Sequence, residues 1–395
     1  MFTLDFLKKV LQKPFHIQNI NHPLLGPHVW LLRWLGIWHP IMNGITRFKL
    51  SLVYITFGFF FSQYIKCCRS RTLEDLKLLI QFAPFHTAVI KIVFFLKDHK
   101  IWTELIAYIS SVEREELSTM EPKIKRVIEG YIKYSRSLTY FFWMMAVLSN
   151  LSIFTDLYQN VYHQKNVTEE YIRLFDGYTP FSREPPGYYY ILTTQFIFAN
   201  MVTIYVMAWD PLVVAIMIYF AGQLKVSGFY CKRAIDLTSP EASHQNIVKC
   251  HLFHTKLIKY QEMFNSLISP VMFIYLIVIS VNLGVSITEM VELQDDPAAF
   301  IYYCVYLSAC LVQLLLFYWH SNEVTEESLL VSYSTFKSDW VGTNRSLQKE
   351  MAILAHTTNK RLVFRAGPFN EMSLTTFVSI LRGSYSFYTL LNETN

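Results

Sequence analysis

The sequence predicts an all-α, polytopic membrane protein with seven spanning helices, a cytoplasmic N-terminus and an extracellular C-terminus. Three observations carry this. Only 16% of the 395 residues are charged, while 52% are hydrophobic and 16% aromatic; a soluble domain carries about a quarter charged residues. The apolar residues gather into long stretches separated by segments rich in Lys, Glu and His, as in a chain threaded repeatedly through a bilayer. Finally, 26 of the 35 Lys and Arg fall in segments that a cytoplasmic N-terminus puts inside, against 6 outside, which is the bias that sets orientation. The net charge of +5 comes without a long basic run, so nucleic acid is not an expected partner.

Residues 1–47 form a cytoplasmic N-terminal segment. Met1 to Val10 contains Asp5 and no small-residue cleavage site, so no removable signal peptide is expected and the first span acts as the insertion signal. Trp30 to Trp38 has the make-up of a short interfacial helix on the inner leaflet. The spans are placed at 48–65, 76–96, 138–158, 190–224, 264–287, 300–319 and 372–391, against the roughly 17–25 residues that a crossing helix needs. Lys77 and Lys91 lie near the ends of the second, where a lysine is expected to snorkel to the headgroups. The fourth is too long for the bilayer at about 1.5 Å per residue, so its far end should project into the cytoplasm.

Between the sixth and seventh spans lies a cytoplasmic region, 320–371. In it Leu329, Tyr333, Phe336, Trp340, Leu347, Met351 and Leu354 recur at spacings of three, four or seven, which predicts amphipathic helix with one buried face. That face either braces the bundle or docks another subunit. Asn166-Val-Thr168 is a glycosylation sequon in the second outer loop; the sequons at Asn150, Asn344 and Asn392 would be buried, cytoplasmic or at the membrane edge. The six cysteines form no extracellular ladder, so no disulfide framework is expected. The topology inverts that of a G-protein-coupled receptor. That alternative also lacks its Asp-Arg-Tyr after the third span and its Asn-Pro-x-x-Tyr in the seventh.

His244, Cys250, His251 and His254 are the one cluster with zinc-ligand residue types, but no second Cys/His set completes a tetrahedral site, and no metal or cofactor is expected. Histidine boxes, a serine elbow and a Walker loop are absent from the sequence, which disfavours a membrane enzyme. Asp210-Pro211 in the fourth span combines a helix breaker with an intramembrane carboxylate. Its placement toward the cytoplasmic interface favours a structural kink with a hydrogen-bonded carboxylate over a functional one. Aromatics with sparse polar groups collect toward the outer halves of spans two to six: Phe82, Phe85 and His86; Asn150, Phe154 and Tyr158; Tyr189, Phe196 and Asn200; Tyr275; Tyr302, Tyr303 and Tyr306. Such walls suit a small, mostly apolar ligand, and equally serve helix packing and membrane interfaces. In the seventh span Thr375, Ser379, Arg382, Ser386 and Thr389 fall within about 80° of one another at 100° per residue, with Phe377, Ile380, Phe387 and Leu391 turned away. This stripe lines water, as in a channel or transporter, or packs against another helix.

From Phe317 onward the chain resembles the insect odorant receptors. Asn322-Glu323-Val324 with Ser328, Tyr333 and Trp340 is similar to the family's cytoplasmic start of the seventh helix. Arg365-Ala366-Gly367-Pro368-Phe369, Ser373-Leu374, Phe377, Ile380-Leu381 and Ser384-Tyr385-Ser386-Phe387 with Leu390-Leu391 are similar to its C-terminal signature. Asp210-x-Leu212 with Gln223 resembles the family's fourth helix, and His254 followed by Phe264 its path into the fifth. The loop 225–263 is short beside the large second cytoplasmic loop of the family's coreceptor. Leu391 stands where gustatory relatives and the coreceptor carry a Gln. Both features favour an odorant-tuning subunit.

The resemblance implies a ligand-gated, poorly selective cation channel. It would work as a tetramer with coreceptor subunits in the plasma membrane of olfactory sensory neuron dendrites, opened by a small volatile apolar ligand. It implies a six-helix bundle over 48–319 with an outer pocket, a cytoplasmic anchor over 320–371, and a pore-lining helix with an extracellular end over 372–395. Tyr303 and Tyr306 match the family's pocket tyrosines, with Phe154 or Tyr158 as the third-helix wall and Phe82 to His86 as the second. Tyr388, Leu391 and Asn392 match its gate positions, although Asn392 is polar where an apolar residue normally closes the pore, and these three lie off the polar stripe.

Overall fold

The computed structural model describes residues 21–39, 43–70, 82–118, 121–163, 186–293 and 295–394, with a few isolated positions between them. Met1 to Val10, Lys77 and the Asn166 sequon lie outside the described residues, as do the side chains of Tyr158, Leu391 and Asn392. The elements in chain order are α1 (Gly26–Leu35), α2 (Gly44–Ser70), α3 (Ala83–Lys97), α4 (His99–Ser118), α5 (Pro122–His163), α6 (Gly187–Lys232), α7 (Pro240–Glu292), α8 (Pro297–Phe336), α9 (Arg345–Thr358), the antiparallel pair β1 (Arg365–Ala366) and β2 (Asn370–Glu371), and α10 (Leu374–Thr394).

Helices stand in all seven stretches predicted to span. Among the described residues, α2, α5, α6, α7 and α8 are each long and apolar enough to cross a membrane. α3 falls short with 15 described residues, and α10 is diluted by its polar stripe. Helix α6 runs for 46 residues, about 69 Å at 1.5 Å per residue, more than twice a hydrocarbon core of about 30 Å. The expected projection of this helix follows from that length alone. Every residue from Ala208 to Leu224 is buried, so α6 is apolar and enclosed on all sides, as the central helix of a bundle must be. α8 and α5 pack along it, with α3 and α7 completing the surround.

Local chemistry sets several helix ends. Ser239 caps α7 by accepting from the Ala242 amide, with Pro240 at the first helical position. Asn344 caps α9 by accepting from the Leu347 amide at 2.8 Å. β1 and β2 are joined through Gly367 at φ 74°, a left-handed conformation that favours glycine, and its amide donates to the Ser269 carbonyl at 3.0 Å. The turn is thereby tied to α7 just before α10 begins. α10 then lies close along α7. Ser384 Oγ donates to the Ser280 carbonyl at 3.0 Å, and a Cβ on Gly284 would come within 2.5 Å of the Phe387 ring.

α4 contributes a buried polar network beside α5 and α6. Glu113 accepts from the Leu24 amide at 3.1 Å and from Tyr131 Oη at 2.9 Å. Gln223 Nε2 donates to Glu116 at 2.9 Å and to Tyr131 Oη at 3.2 Å. Burial pushes the Glu113 carboxyl up to about 8 and that of Glu116 up to about 7, because desolvation penalises the charged form.

Three expectations need correction. The apolar recurrence from Leu329 to Leu354 is not one buried face: Leu347, Met351 and Leu354 of α9 are buried, while Leu329, Tyr333 and Phe336 at the end of α8 are exposed. The turn at 337–344 breaks the helical phase, so equal spacing no longer means a shared face. Lys91 does not snorkel, being 1% exposed within the bundle. Its partner there is Asp210, likewise fully buried, whose carboxylate is hydrogen-bonded as expected. In α1, Trp30 and Trp34 are exposed and Trp38, just beyond it, is buried, so only part of the tryptophan segment can face a leaflet.

Candidate functional site

A cavity of about 100 Å³ opens between α3, α5, α6, α7 and α8. Its walls follow from helical periodicity. Phe142, Met145, Ala146, Ser149, Asn150 and Ile153 recur at three and four residues on α5, and Tyr306, Ala309, Cys310 and Gln313 do the same on α8, so each set lies on one face. Phe85 and Thr87 come from α3, Thr203 and Val206 from α6, and Tyr275 from α7. The lining is mainly apolar, with polar groups at a few points, the make-up expected of a small-molecule site.

Of the residues singled out in the sequence, Phe85, Asn150, Tyr275 and Tyr306 meet at this cavity. Asn150 Nδ2 donates to Asn200 Oδ1 at 3.1 Å, and Thr203 Oγ1 donates to Asn150 Oδ1 at 3.0 Å; Asn200 therefore stands behind the wall and steadies Asn150. Tyr306 Oη donates to Asn282 Oδ1 at 3.0 Å and its ring stacks on Tyr302 with centroids 6.0 Å apart. Tyr302 and Tyr303 are buried as neighbours of Tyr306 and are not themselves on the lining. Phe154 and Phe196 pair with each other at 4.4 Å, away from the lining. His86 turns toward α2, where its Nε2 meets Gln63 Oε1 at 3.2 Å. Phe82 packs on Phe175 at 5.1 Å, and Phe85 touches the same ring at 5.8 Å.

Phe175 was not foreseen. It is a loop residue, 1% exposed, set among Phe59, Phe60, Phe82 and Phe85 and fixed by Gln195, which accepts from its amide. Nothing in its sequence neighbourhood marks it, because its partners come from distant helices. Thr203, Cys310 and Gln313 were also missed. Cys310 and Gln313 were within reach, since they follow Tyr306 by four and seven residues.

Beneath the cavity lies a charged constellation. Lys91 Nζ donates to Asp210 Oδ1 at 2.7 Å, with both side chains at most 1% exposed, and Gln313 Nε2 donates to the other carboxylate oxygen. Lys91 Nζ also sits 4.4 Å from the Tyr275 ring centroid and 5.1 Å from that of Trp209, contacts favourable to a desolvated cation. The pair thus ties α3, α6 and α8 together directly under the lining.

The gate expectation concerns α10, which stands apart from this cavity. Tyr388 is half-buried there with its ring 6.1 Å from Tyr385. Thr375, Ser379, Arg382 and Ser386 of the polar stripe are all exposed, so the stripe faces away from the bundle. The four Cys/His residues do not converge: His244 pairs with Glu350 at 2.8 Å, His254 meets Ser227 at 3.3 Å, and His251 is exposed.

The fold has known counterparts. The insect olfactory receptor OR5 from Machilis hrabei superposes with a TM-score of 0.80 over 94% of this chain and 98% of that one, at 15% identity. The same receptor in complex with eugenol gives a TM-score of 0.78. In sequence, Odorant receptor 10 of Aedes albopictus is 27% identical over 157 residues, 38% of this chain and 42% of the relative. Odorant receptor 23a of Drosophila melanogaster is 28% identical over 153 residues, 39% and 40% of the two chains. The chain thus matches less than half the length of these relatives. The family profile described as 7tm Odorant receptor matches residues 72–385, most of the chain, and the chain belongs to that family.

Proposed function

We propose that the chain is the odorant-binding subunit of a ligand-gated, non-selective cation channel that opens when a small, largely apolar volatile enters the cavity. The observation that carries this reading is the cavity itself: four of the residues singled out from the sequence, Phe85, Asn150, Tyr275 and Tyr306, meet there from four different helices. Membership of a receptor family and the likeness to a receptor captured with eugenol support a small-molecule ligand. The ligand opens the channel by binding the open state more tightly than the closed one, since equal affinity shifts nothing.

In this reading the N-terminus is cytoplasmic, and the chain sits with coreceptor subunits as a tetramer in the plasma membrane of sensory dendrites. The outward polar stripe of α10 lines the wider inner pore, with Tyr388, Leu391 and Asn392 at the gate. Residues 320–371 anchor the assembly in the cytoplasm, and Phe82, His86, Phe154, Phe196, Asn200, Tyr302 and Tyr303 support the ligand-contacting wall from behind.

Expressing the chain with and without coreceptor and recording volatile-evoked current tests the reading. Current that requires the chain and follows its ligand is the expected result. Silence across a broad volatile panel, with the protein at the cell surface, overturns it.

A further inference from the structure

Tyr275 differs from the paired polar side chains at the cavity wall. Thr87 donates to the Pro84 carbonyl at 2.8 Å, Thr203 to Asn150 at 3.0 Å, Tyr306 to Asn282 at 3.0 Å, and Gln313 to Asp210. The Tyr275 side chain is 2% exposed, and its buried hydroxyl has no hydrogen-bond partner among the described residues. A hydroxyl buried and unpaired is costly, and folded proteins leave few of them so. The ring is held in place. Lys91 Nζ lies 4.4 Å from its centroid, and Phe317 meets it edge-on at 5.7 Å. The wall therefore holds, in Tyr275, a fully buried donor without a partner among the described residues, beside the half-buried hydroxyl of Ser149.

We propose that Tyr275 Oη donates to an oxygen of the bound ligand, so that the cavity selects volatiles carrying an accepting oxygen over hydrocarbons of the same shape. This inference rests on the odorant-gated reading and specifies the ligand class of that same cavity. Shape and dispersion against Phe85, Phe142, Ile153 and Val206 hold both kinds of molecule alike. The single hydrogen bond separates them, because a hydrocarbon leaves the buried donor unpaired, and a site built around such a group rejects the analogue that lacks its partner.

The test uses matched pairs in which a carbonyl oxygen is replaced by a methylene or a hydroxyl by a methyl: acetophenone with α-methylstyrene, hexanal with heptene, hexanol with heptane. They are applied to the co-expressed channel within a broad volatile panel. The wild type should respond to the oxygenated member at lower concentration. Tyr275→Phe, which removes the donor and keeps the ring over Lys91, should narrow that preference about ten-fold. An unchanged preference in Y275F overturns the inference, as does a preference abolished by Asn150→Leu and retained in Y275F, which would give the ligand oxygen to Asn150. A wild type that prefers the hydrocarbons overturns it too. Should Y275F fail to reach the surface, thermal stabilisation of the purified wild-type complex decides: acetophenone should stabilise more than α-methylstyrene at equal concentration, and equal stabilisation refutes the donor. A surface-expressed wild type silent to the whole panel sinks the odorant-gated reading instead, a different outcome from lost discrimination.

Discussion

Lys91 and Asp210 form an ion pair in a place where neither charge can be hydrated, both being at most 1% exposed. Such a pair survives only when each partner is also bonded elsewhere. Here the carboxylate accepts from Gln313 as well as Lys91, and the ammonium rests against the rings of Tyr275, Trp209 and Phe317. Removing one partner strands the other. Lys91→Leu or Asp210→Leu alone should therefore cost about 3–5 kcal/mol and deplete the surface population, whereas the double substitution should recover most of that loss. Surface labelling and unfolding midpoints of the three variants measure it; a double variant no better than either single one would show that the pair does more than neutralise itself. The pair was half legible in the sequence. Asp210 announced itself as an intramembrane carboxylate, but Lys91 is 119 residues away on another helix, and a lysine near a span end reads as a snorkelling one unless its partner is known. The cavity wall has the same character. Phe85, Asn150, Tyr275 and Tyr306 were found because aromatics and amides are conspicuous in apolar segments, and Cys310 could have been from its spacing, while Thr203 and the nearby Phe175 owe their place to neighbours that no local pattern reveals.

Helices were the readable unit, because an apolar run of spanning length is a property of one segment alone. Which face each helix turns to which partner depends on pairwise fit, and two places show this. At the α7–α10 contact, Gly284 leaves room for Phe387, whose ring would lie 2.5 Å from an added Cβ. Gly284→Val should force the helices apart, leaving the protein folded but weakening evoked current several-fold at equal surface expression, since α10 would be displaced relative to the cavity-bearing bundle. Current equal to wild type at matched expression would show that this approach does not couple α10 to the bundle. The second place is the network at α4. Glu113 has its carboxyl raised by burial to about 8, against 4.5 for a free glutamate, so between those values the folded chain holds a proton that the unfolded chain has released. Stability from this group is therefore present at low pH and is lost as pH rises through that window. Glu113→Gln keeps one acceptor for the Leu24 amide, turns a donor to Tyr131 Oη, which can accept, and abolishes the titration. It should raise the unfolding midpoint of the purified protein at neutral pH and flatten its decline from about pH 5 to 8. A wild type and variant with parallel pH profiles would mean that Glu113 is ionised in the fold.

At the scale of the whole molecule, a single chain leaves surfaces that water does not suit. The last turns of α8 bury Val331, Ser332 and Thr335 toward α9, with Ser332 Oγ donating to the Ala355 carbonyl at 3.0 Å. The opposite face carries Leu329, Leu330, Tyr333 and Phe336, each 44–58% exposed. In a segment predicted to be cytoplasmic, lipid cannot cover that face, and a contiguous apolar patch of this kind marks a protein contact. The sequence pattern could not separate the two uses of apolar spacing, bracing and docking, because both repeat every three or four residues; only the turn at 337–344 assigns α9 to the first and leaves the end of α8 for the second. If α8 docks a neighbouring subunit, aromatic anchors there should dominate the contact. Tyr333→Glu with Phe336→Glu should then weaken assembly by about 2 kcal/mol or more, roughly thirty-fold in association, while the isolated chain keeps its helix content, because neither side chain is part of the core. Crosslinking and size-exclusion of the detergent-solubilised complex would show smaller species at unchanged circular dichroism. A variant that assembles like the wild type would instead place the subunit contact elsewhere, with the outward stripe of α10 as the next surface to alter.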